Sequence, residues 1–375
     1  MAEIKKSKSI WKEEQKETEL KNPNANSGEV IEVDNSHIDN FVQQNSPVNN
    51  ELIRNATMNE LYGTEVDGQM RIMPTEVTVR GQRGKLSPVY SLCSFSYDDT
   101  VDLELLNKNG RYKITGYDRR VYNAVGTLWL NGRNTVSLTE IFSIMNGYAK
   151  TNPSSRQLQA VEKSLNKLKS IRVYIDLTQE VKANMIKDKD ALIEAGILKS
   201  HTDKVKSAVL EDNMLHFRVG TIESEQRKVF KSIQIVGEPS LLTYNRAKGT
   251  LISIPMEYIG LNDSNATEKT IAFQDYLIMR IMSYLAPSSK IRENTIKYDT
   301  LYRDSGIERP ALSKDFIRDR QTVAKLMDEW VKKGLITGYE EIKEGRSFTG
   351  IKFYAEKNKK IETKGKDTTD ENNAE

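Results

Sequence analysis

The chain is 375 residues long, 37% hydrophobic and 29% charged, with a formal net charge of +3. That length accommodates two or three domains, and a charge so near balance means that a nucleic-acid partner must be argued from local clusters of cations. With one cysteine, Cys93, an internal disulfide framework and a cysteine zinc site are both excluded.

A lone cysteine fits a reducing compartment. The opening stretch MAEIKKSKSIWKEEQKETEL runs from basic to acidic without the apolar core of a signal peptide, and no run is long enough to span a bilayer. The expected location is cytoplasmic, with no membrane partner.

Residues 1–89 hold only Trp11, Phe41 and Tyr62 among the aromatics and are crowded with Asn, Glu, Lys, Ser and Gln. Such a segment buries too little apolar surface to offset its ordering entropy, so it is expected to be a disordered leader, with a short helix near 52–61 as its one candidate element. The stretch GQRGKLS at 81–87, preceded by a short strand at TEVTVR, has the wrong spacing for a phosphate-binding loop.

Order is expected from about residue 90. VDLELL at 101–106 alternates as a strand. A helix over 117–130 follows from Val121, Val125 and Leu128. NGRN is a turn, and Ser137 with Glu140 three residues on predicts a capping box opening a helix to Met145, which Gly147 ends. A third helix over 155–170 buries Leu158, Val161, Leu165 and Leu168. IRVYIDLT at 171–178 alternates as a strand. Residues 179–265 form a strand-rich extension. A helical stretch lies near 188–195, a hairpin turns at Asp212-Asn213, and strands lie at FKSIQIV and GTLISIPMEYI.

A second series opens near Thr267. Its first helix carries Leu277, Ile281, Tyr284 and Leu285 on one face and is broken by APSSK. A helix over 295–304 ends at Ser305-Gly306. A third, over 313–333, turns Phe316, Val323, Leu326, Met327 and Trp330 inward. Gly334 then leads into two strands with KEGRS at their turn. Residues 357–375 are an expected disordered tail.

The order helix, helix, helix, ribbon thus occurs at 117–178 and again at 268–354. It is the order of a winged helix-turn-helix, in which the third helix enters the DNA major groove and the ribbon lies on the backbone. The expected fold is α+β. It has two tandem winged helix-turn-helix domains at 90–265 and 266–356, the first with the strand-rich extension, between a disordered leader and tail.

The polar faces of the two third helices fit that reading. Lys314, Arg318, Gln321 and Lys325 form one stripe opposite the apolar face, with Arg320 and Thr322 flanking it. Arg156, Gln159 and Lys163 make a shorter stripe, with Gln157 and Lys167 near. Arg and Gln suit base edges and Lys suits phosphates, while Lys343 and Arg346 at the ribbon tip and Lys352 on the returning strand reach the backbone. A cationic stripe on a single helix is more often a solvated face, and Asp315, Asp319, Glu162, Glu340, Glu341 and Glu344 interrupt these. Two units of one plan, each basic on the same helix, favour DNA.

Two tandem winged helices over about 95–356 resemble the iteron-binding plasmid replication initiators. NRAKGTLISIPMEYIGL (245–261), leading into TEKTIAFQDYLIMRIMSYL, looks like the domain junction of initiator-like proteins of low-GC Gram-positive plasmids and mobile elements. The resemblance implies binding to direct repeats at an origin, opening of adjacent AT-rich DNA and recruitment of a host helicase or initiator. It also implies a homodimer through the first domain that represses its own gene. The long leader and the large 179–265 segment depart from the family.

A transcriptional regulator using the same two modules is the alternative. No enzyme, cofactor or metal site is expected: His37, His201 and His216 lie far apart, no H-x-H pair occurs and no phosphate-binding loop is present. A Mg²⁺ nuclease built from scattered carboxylates and a winged helix that binds protein are the remaining readings.

Overall fold

A computed structural model describes residues 37–46 and 49, four strand segments between 64 and 97 by their backbone, and residues 114–356 apart from 149–151, 203, 224–228, 261–266, 287, 288 and 290. The expected helix at 52–61, the strand at 101–106, the loop at 81–87 and the tail at 357–375 fall outside them. The architecture is mixed α and β.

In chain order the first elements are strands β1 (Asn40–Gln44), β2 (Thr64–Val66), β3 (Gln69–Arg71), β4 (Thr75–Val79) and β5 (Val89–Tyr97). Helix α1 (Gly116–Leu130) opens on Thr115, whose hydroxyl accepts the Asp118 N–H, while Asp118 Oδ2 accepts the Thr115 N–H at 2.8 Å. After β6 (Thr135–Val136), helix α2 (Leu138–Met145) has the expected cap, Ser137 accepting the Glu140 N–H at 3.1 Å. The Glu140 carboxylate does not complete the box. It pairs instead with Arg133 at 2.7 Å. Helix α3 (Ser155–Lys169) follows, capped by Ser154.

Next come β7 (Ile171–Asp176), α4 (Thr178–Lys182), α5 (Asp190–Glu194), β8 (Val209–Asn213), β9 (Phe217–Glu223), β10 (Val229–Ile235), α6 (Ser240–Lys248), β11 (Leu251–Pro255) and α7 (Met256–Ile259). The last run is α8 (Glu268–Leu285), β12 (Thr295–Lys297), α9 (Tyr298–Ser305), α10 (Ser313–Lys332), β13 (Gly338–Glu344) and β14 (Ser347–Tyr354).

The sheets show a plan the linear pattern only half reveals. After α1, the strand β6 pairs antiparallel with β10, and β10 with β9, in the order β6–β10–β9. After α8, β12 pairs with β14, and β14 with β13, in the order β12–β14–β13. Each series therefore reads helix, short strand, two helices, ribbon, with the last strand in the middle of its sheet. The ribbon of the first series is β9–β10 and not the strand at 171–176, which corrects the expectation. Ile171, Val173 and Ile175 are buried in a different sheet, where β7 lies between β5 and β8. Strand pairing is set by partners far along the chain, which the local pattern does not contain.

The expected hairpin at Asp212-Asn213 is also corrected. β8 continues through Asn213 on β7, whereas β9 belongs to the ribbon. The chain crosses between the sheets through Met214 and Leu215, both buried, with the Met214 N–H donating to Ile171 O at 2.8 Å. The helix expected from residue 295 starts as β12, and the α-helix begins at Tyr298.

The sequence pattern does not predict β1, β6, α4, α6 or β12, and the strand expected at GTLISIPMEYI ends at Pro255, after which α7 begins. α6 is buried on nearly every face, so it has no amphipathic period, although Pro239 and the left-handed Gly249 mark its ends. β1, inside the supposedly disordered leader, pairs with β11 in the register Phe41↔Ile254, and Phe41 is fully buried. Its edge is tied to α1 by polar groups: the Val42 N–H donates to Thr127 Oγ1 at 3.0 Å, and the Gln44 N–H to Asn123 Oδ1 at 3.2 Å.

One hydrophobic cluster runs through both series. α1 packs on α8 at close range: a Cβ on Gly116 would sit 2.9 Å from Ala272 O. Asp275, buried on α8, pairs with Arg119 and with Arg120 at 3.3 Å on α1, and its Oδ1 accepts from Gln43 Nε2 on β1 at 3.3 Å. Burial pulls the Arg120 guanidinium down to about 10, still charged at neutral pH.

Candidate nucleic-acid interface

α10 is amphipathic because its apolar residues recur at helical spacing. Val323, Leu326, Met327 and Trp330 are buried, and the Trp330 indole N–H donates to Tyr258 O at 3.0 Å. Asp319, which interrupts the sequence stripe, faces inward. It accepts from the Tyr302 hydroxyl at 2.7 Å and from Lys269 at 2.6 Å. The opposite face carries Lys314, Arg318, Gln321 and Lys325, all exposed. Arg318 touches Asp315 at 3.2 Å but stays 75% exposed, so that pair holds it weakly. Thr322 is half-buried and donates its hydroxyl to Arg318 O at 3.1 Å.

The ribbon β13–β14 is clamped against this helix. Arg320 donates from Nε to Glu341 Oε1 at 2.8 Å and from Nη2 to Oε2 at 2.6 Å, and its guanidinium lies 3.1 Å from the centroid of Phe348. The Tyr298 hydroxyl adds a bond to Glu341 at 2.8 Å. The Arg320 hydrogen bonds hold the Glu341 carboxyl below its usual range, and Glu341 raises Arg320 in turn. Burial pushes the Tyr298 phenol up. One acidic residue of the ribbon is thus a structural clamp.

Arg320 is therefore engaged and does not extend the exposed stripe. At the tip, Gly345 takes a left-handed φ of 62° and presents Arg346, while Lys343 lies 4.5 Å from the Phe348 centroid; both cations are exposed. Lys352 is half-buried, pairs with Glu340 at 3.4 Å and lies 5.2 Å from the Tyr354 centroid, so it is the least available of the ribbon cations.

On α3, Arg156, Gln159 and Lys163 are exposed in one row, and Asn166 continues it. Gln157 turns back to the helix start, accepting from the Ser154 N–H at 3.0 Å and hydroxyl at 3.1 Å. That S-x-x-Q spacing is a capping box, a signal present in the sequence and overlooked there. Lys167 pairs with Asp118 at 2.8 Å. Arg218 on β9 is exposed in the first ribbon; the local pattern places no ribbon there.

A cleft of about 490 Å³ lies between α5, β8 and α6, lined by Trp129, Glu194, Glu211, Asp212, Glu238 and Arg246. Arg246 bridges Glu194 and Glu238, each at 2.9 Å. Of the cleft's other carboxylates, Glu211 pairs with Arg172 at 3.1 Å and Asp212 meets His216 at 2.5 Å. Among the described residues, no group of three or more His, Cys, Asp and Glu side chains could hold a metal ion, and no helix is long and apolar enough to cross a membrane.

No protein-family model matches the sequence, and no curated protein does. Among solved structures, the chain is similar to RctB domains 2–3, with a TM-score of 0.38 and 10% identity over 83% of this chain and 97% of that one. It is also similar to the selenomethionine derivative of RctB domains 2 and 3, with a TM-score of 0.36 and 10% identity over 80% and 97% of the two chains. Both are partial overlaps at low identity.

Proposed function

We propose that the chain is a sequence-specific double-stranded DNA-binding protein made of two winged helix-turn-helix units, and that it initiates replication at direct repeats in an origin. The observation that carries the DNA reading is the repeated plan. The sheets β6–β10–β9 and β12–β14–β13 follow the same helix order, and in each series the third helix presents a polar, cationic face to solvent. α10 and α3 are then the helices that enter successive major grooves, with the ribbons β13–β14 and β9–β10 on the backbone.

In this reading Arg318, Gln321, Arg156 and Gln159 face base edges, whereas Lys314, Lys325, Lys163, Lys343 and Arg346 face phosphates. Gln157 and Lys352 support the helix start and the ribbon. The first unit spans 90–265, with β7, α4, α5 and β8 inserted before its ribbon, and the second spans 266–356. No catalytic residue is assigned. The initiator role, the homodimer through the first unit and the host helicase rest on the sequence resemblance. The DNA-binding role rests on the geometry.

Selection of bound fragments from random and element-derived duplexes tests the reading. Tandem direct repeats with one continuous footprint of about two helical turns are expected. Binding to such repeats no tighter than to random duplex would falsify it. Loss of element replication on deletion, restored in trans, separates an initiator from a regulator, for which copy number would not change.

A further inference from the structure

The exposed face of α10 has an apolar component that the cations do not explain. Ile317 is 48% exposed and does not belong to the core side of the helix, which Val323, Leu326, Met327 and Trp330 supply. Ile317 follows Lys314 by almost one turn, precedes Gln321 by about one turn and adjoins Arg318. It lies toward the ribbon side of the stripe. The next rows round the helix, at Arg320 and Ala324, are the ones that meet β13 through Glu341 and the Tyr339 hydroxyl.

Ile317 stands within about one turn of Lys314, Arg318 and Gln321 on the exposed face of the helix. Charged residues are depleted at the centre of protein interfaces, which argues against another protein as the occupant. The surface suits a polyanion that also carries small apolar groups. In the major groove that group is the thymine C5-methyl, which apolar side chains contact, and the N-terminal residues of a recognition helix are those that reach base edges. We propose that Ile317 reads a thymine methyl group. The half-site bound by the second unit then holds thymine opposite the start of α10. This rests on the reading of α10 as the DNA-reading helix.

The test uses the full chain and the duplex it enriches from a randomised library. Each thymine is replaced singly by deoxyuridine, which deletes the methyl and keeps the hydrogen-bonding edge. The expected result is about a fourfold loss at the contacted thymine for the unaltered protein, the worth of one buried carbon. Ile317→Ala should bind random duplex as before and lose that dependence, and alanine at this exposed helix position keeps the helix. Equal uracil sensitivity in both proteins, or none in either, overturns the assignment while leaving base reading by α10 intact. Loss of self-association in Ile317→Ala, with uracil sensitivity unchanged, moves the residue to a protein contact. If no duplex is enriched over random DNA, the reading of α10 falls together with the proposal.

Discussion

At the scale of the residue, the structure sorts cations that look alike in the sequence. Arg318 and Arg320 are two positions apart, yet one is exposed and the other is held by two hydrogen bonds to Glu341. The partners of Arg320, Lys167 and Lys352 are non-local, so their engagement was not legible in the linear pattern. The exposed stripe was, because helical spacing alone fixes it. Two consequences can be measured. Lys343→Ala and Arg346→Ala should weaken binding to all duplexes alike and each reduce the slope of log affinity against log salt by about 1, since under the proposed function each removes one phosphate contact. Arg318→Ala or Gln321→Ala should instead cost roughly 1–3 kcal/mol of discrimination between selected and random duplex. Equal losses on both duplexes would return Arg318 to the backbone-contacting group. The clamp makes a separate prediction in pH. The Glu341 carboxyl is held below its ordinary 4.5 in the folded state, so its contribution is present above that value and is lost as pH falls through the lowered one. The melting-temperature gap between the native protein and Glu341→Gln should be open at neutral pH and close under acid. A gap that persists unchanged in acid would mean that the carboxylate is not what pins the ribbon.

At the scale of the element, the amphipathic helices were legible, whereas the buried α6 and the strand partners were not. Ser137, Thr267, Gly306 and Gly334 mark ends that the chain obeys, because caps and left-handed glycines act within a few residues. Alternation at 171–176 predicts a strand but not its sheet, and Asp212-Asn213 predicts a hairpin where a buried crossing separates β8 from β9. β1 escaped notice because its anchors are polar: Gln43, Gln44 and Asn123 hold it as much as Phe41 does. The ribbon of the second series depends on a close approach at Gly350, where a Cβ would lie 2.7 Å from Ile296 O. Because that atom is backbone, Gly350→Ala must part β12 from β14. A loss of about 1–3 kcal/mol is expected, read as a lowered denaturation midpoint, together with a weaker, less salt-dependent grip on DNA. Arg156→Ala combined with Lys163→Ala should shorten the footprint from the end covered by the first unit and leave the other end protected. A footprint that fades evenly would show that α3 does not read its own half-site.

At the scale of the whole molecule, the question is whether the two proposed DNA-reading helices are free to adjust to each other. The packing says that they are not. α1 and α8 meet at Gly116, and Asp275 of α8 binds Arg119 and Arg120 of α1 and Gln43 of β1. A buried carboxylate between two arginines contributes little net stability, but removing its charge leaves two buried guanidiniums without their counter-charge. Asp275→Asn should therefore cost about 3–5 kcal/mol in chemical denaturation. Under the proposed function the same joint would set the geometry on DNA. A rigid pair of units fixes the distance between half-sites, so adding about 5 base pairs between them turns the second half-site to the far face of the duplex. Adding a full turn displaces it by roughly 34–36 Å along the axis. Both insertions should reduce binding to that of one unit. Two units on a flexible tether would fail the half-turn insertion and recover on the full turn. Recovery on the full turn with the native protein would therefore contradict a rigid joint, whereas recovery only in Asp275→Asn would identify the buried ion group as what holds the two units in register.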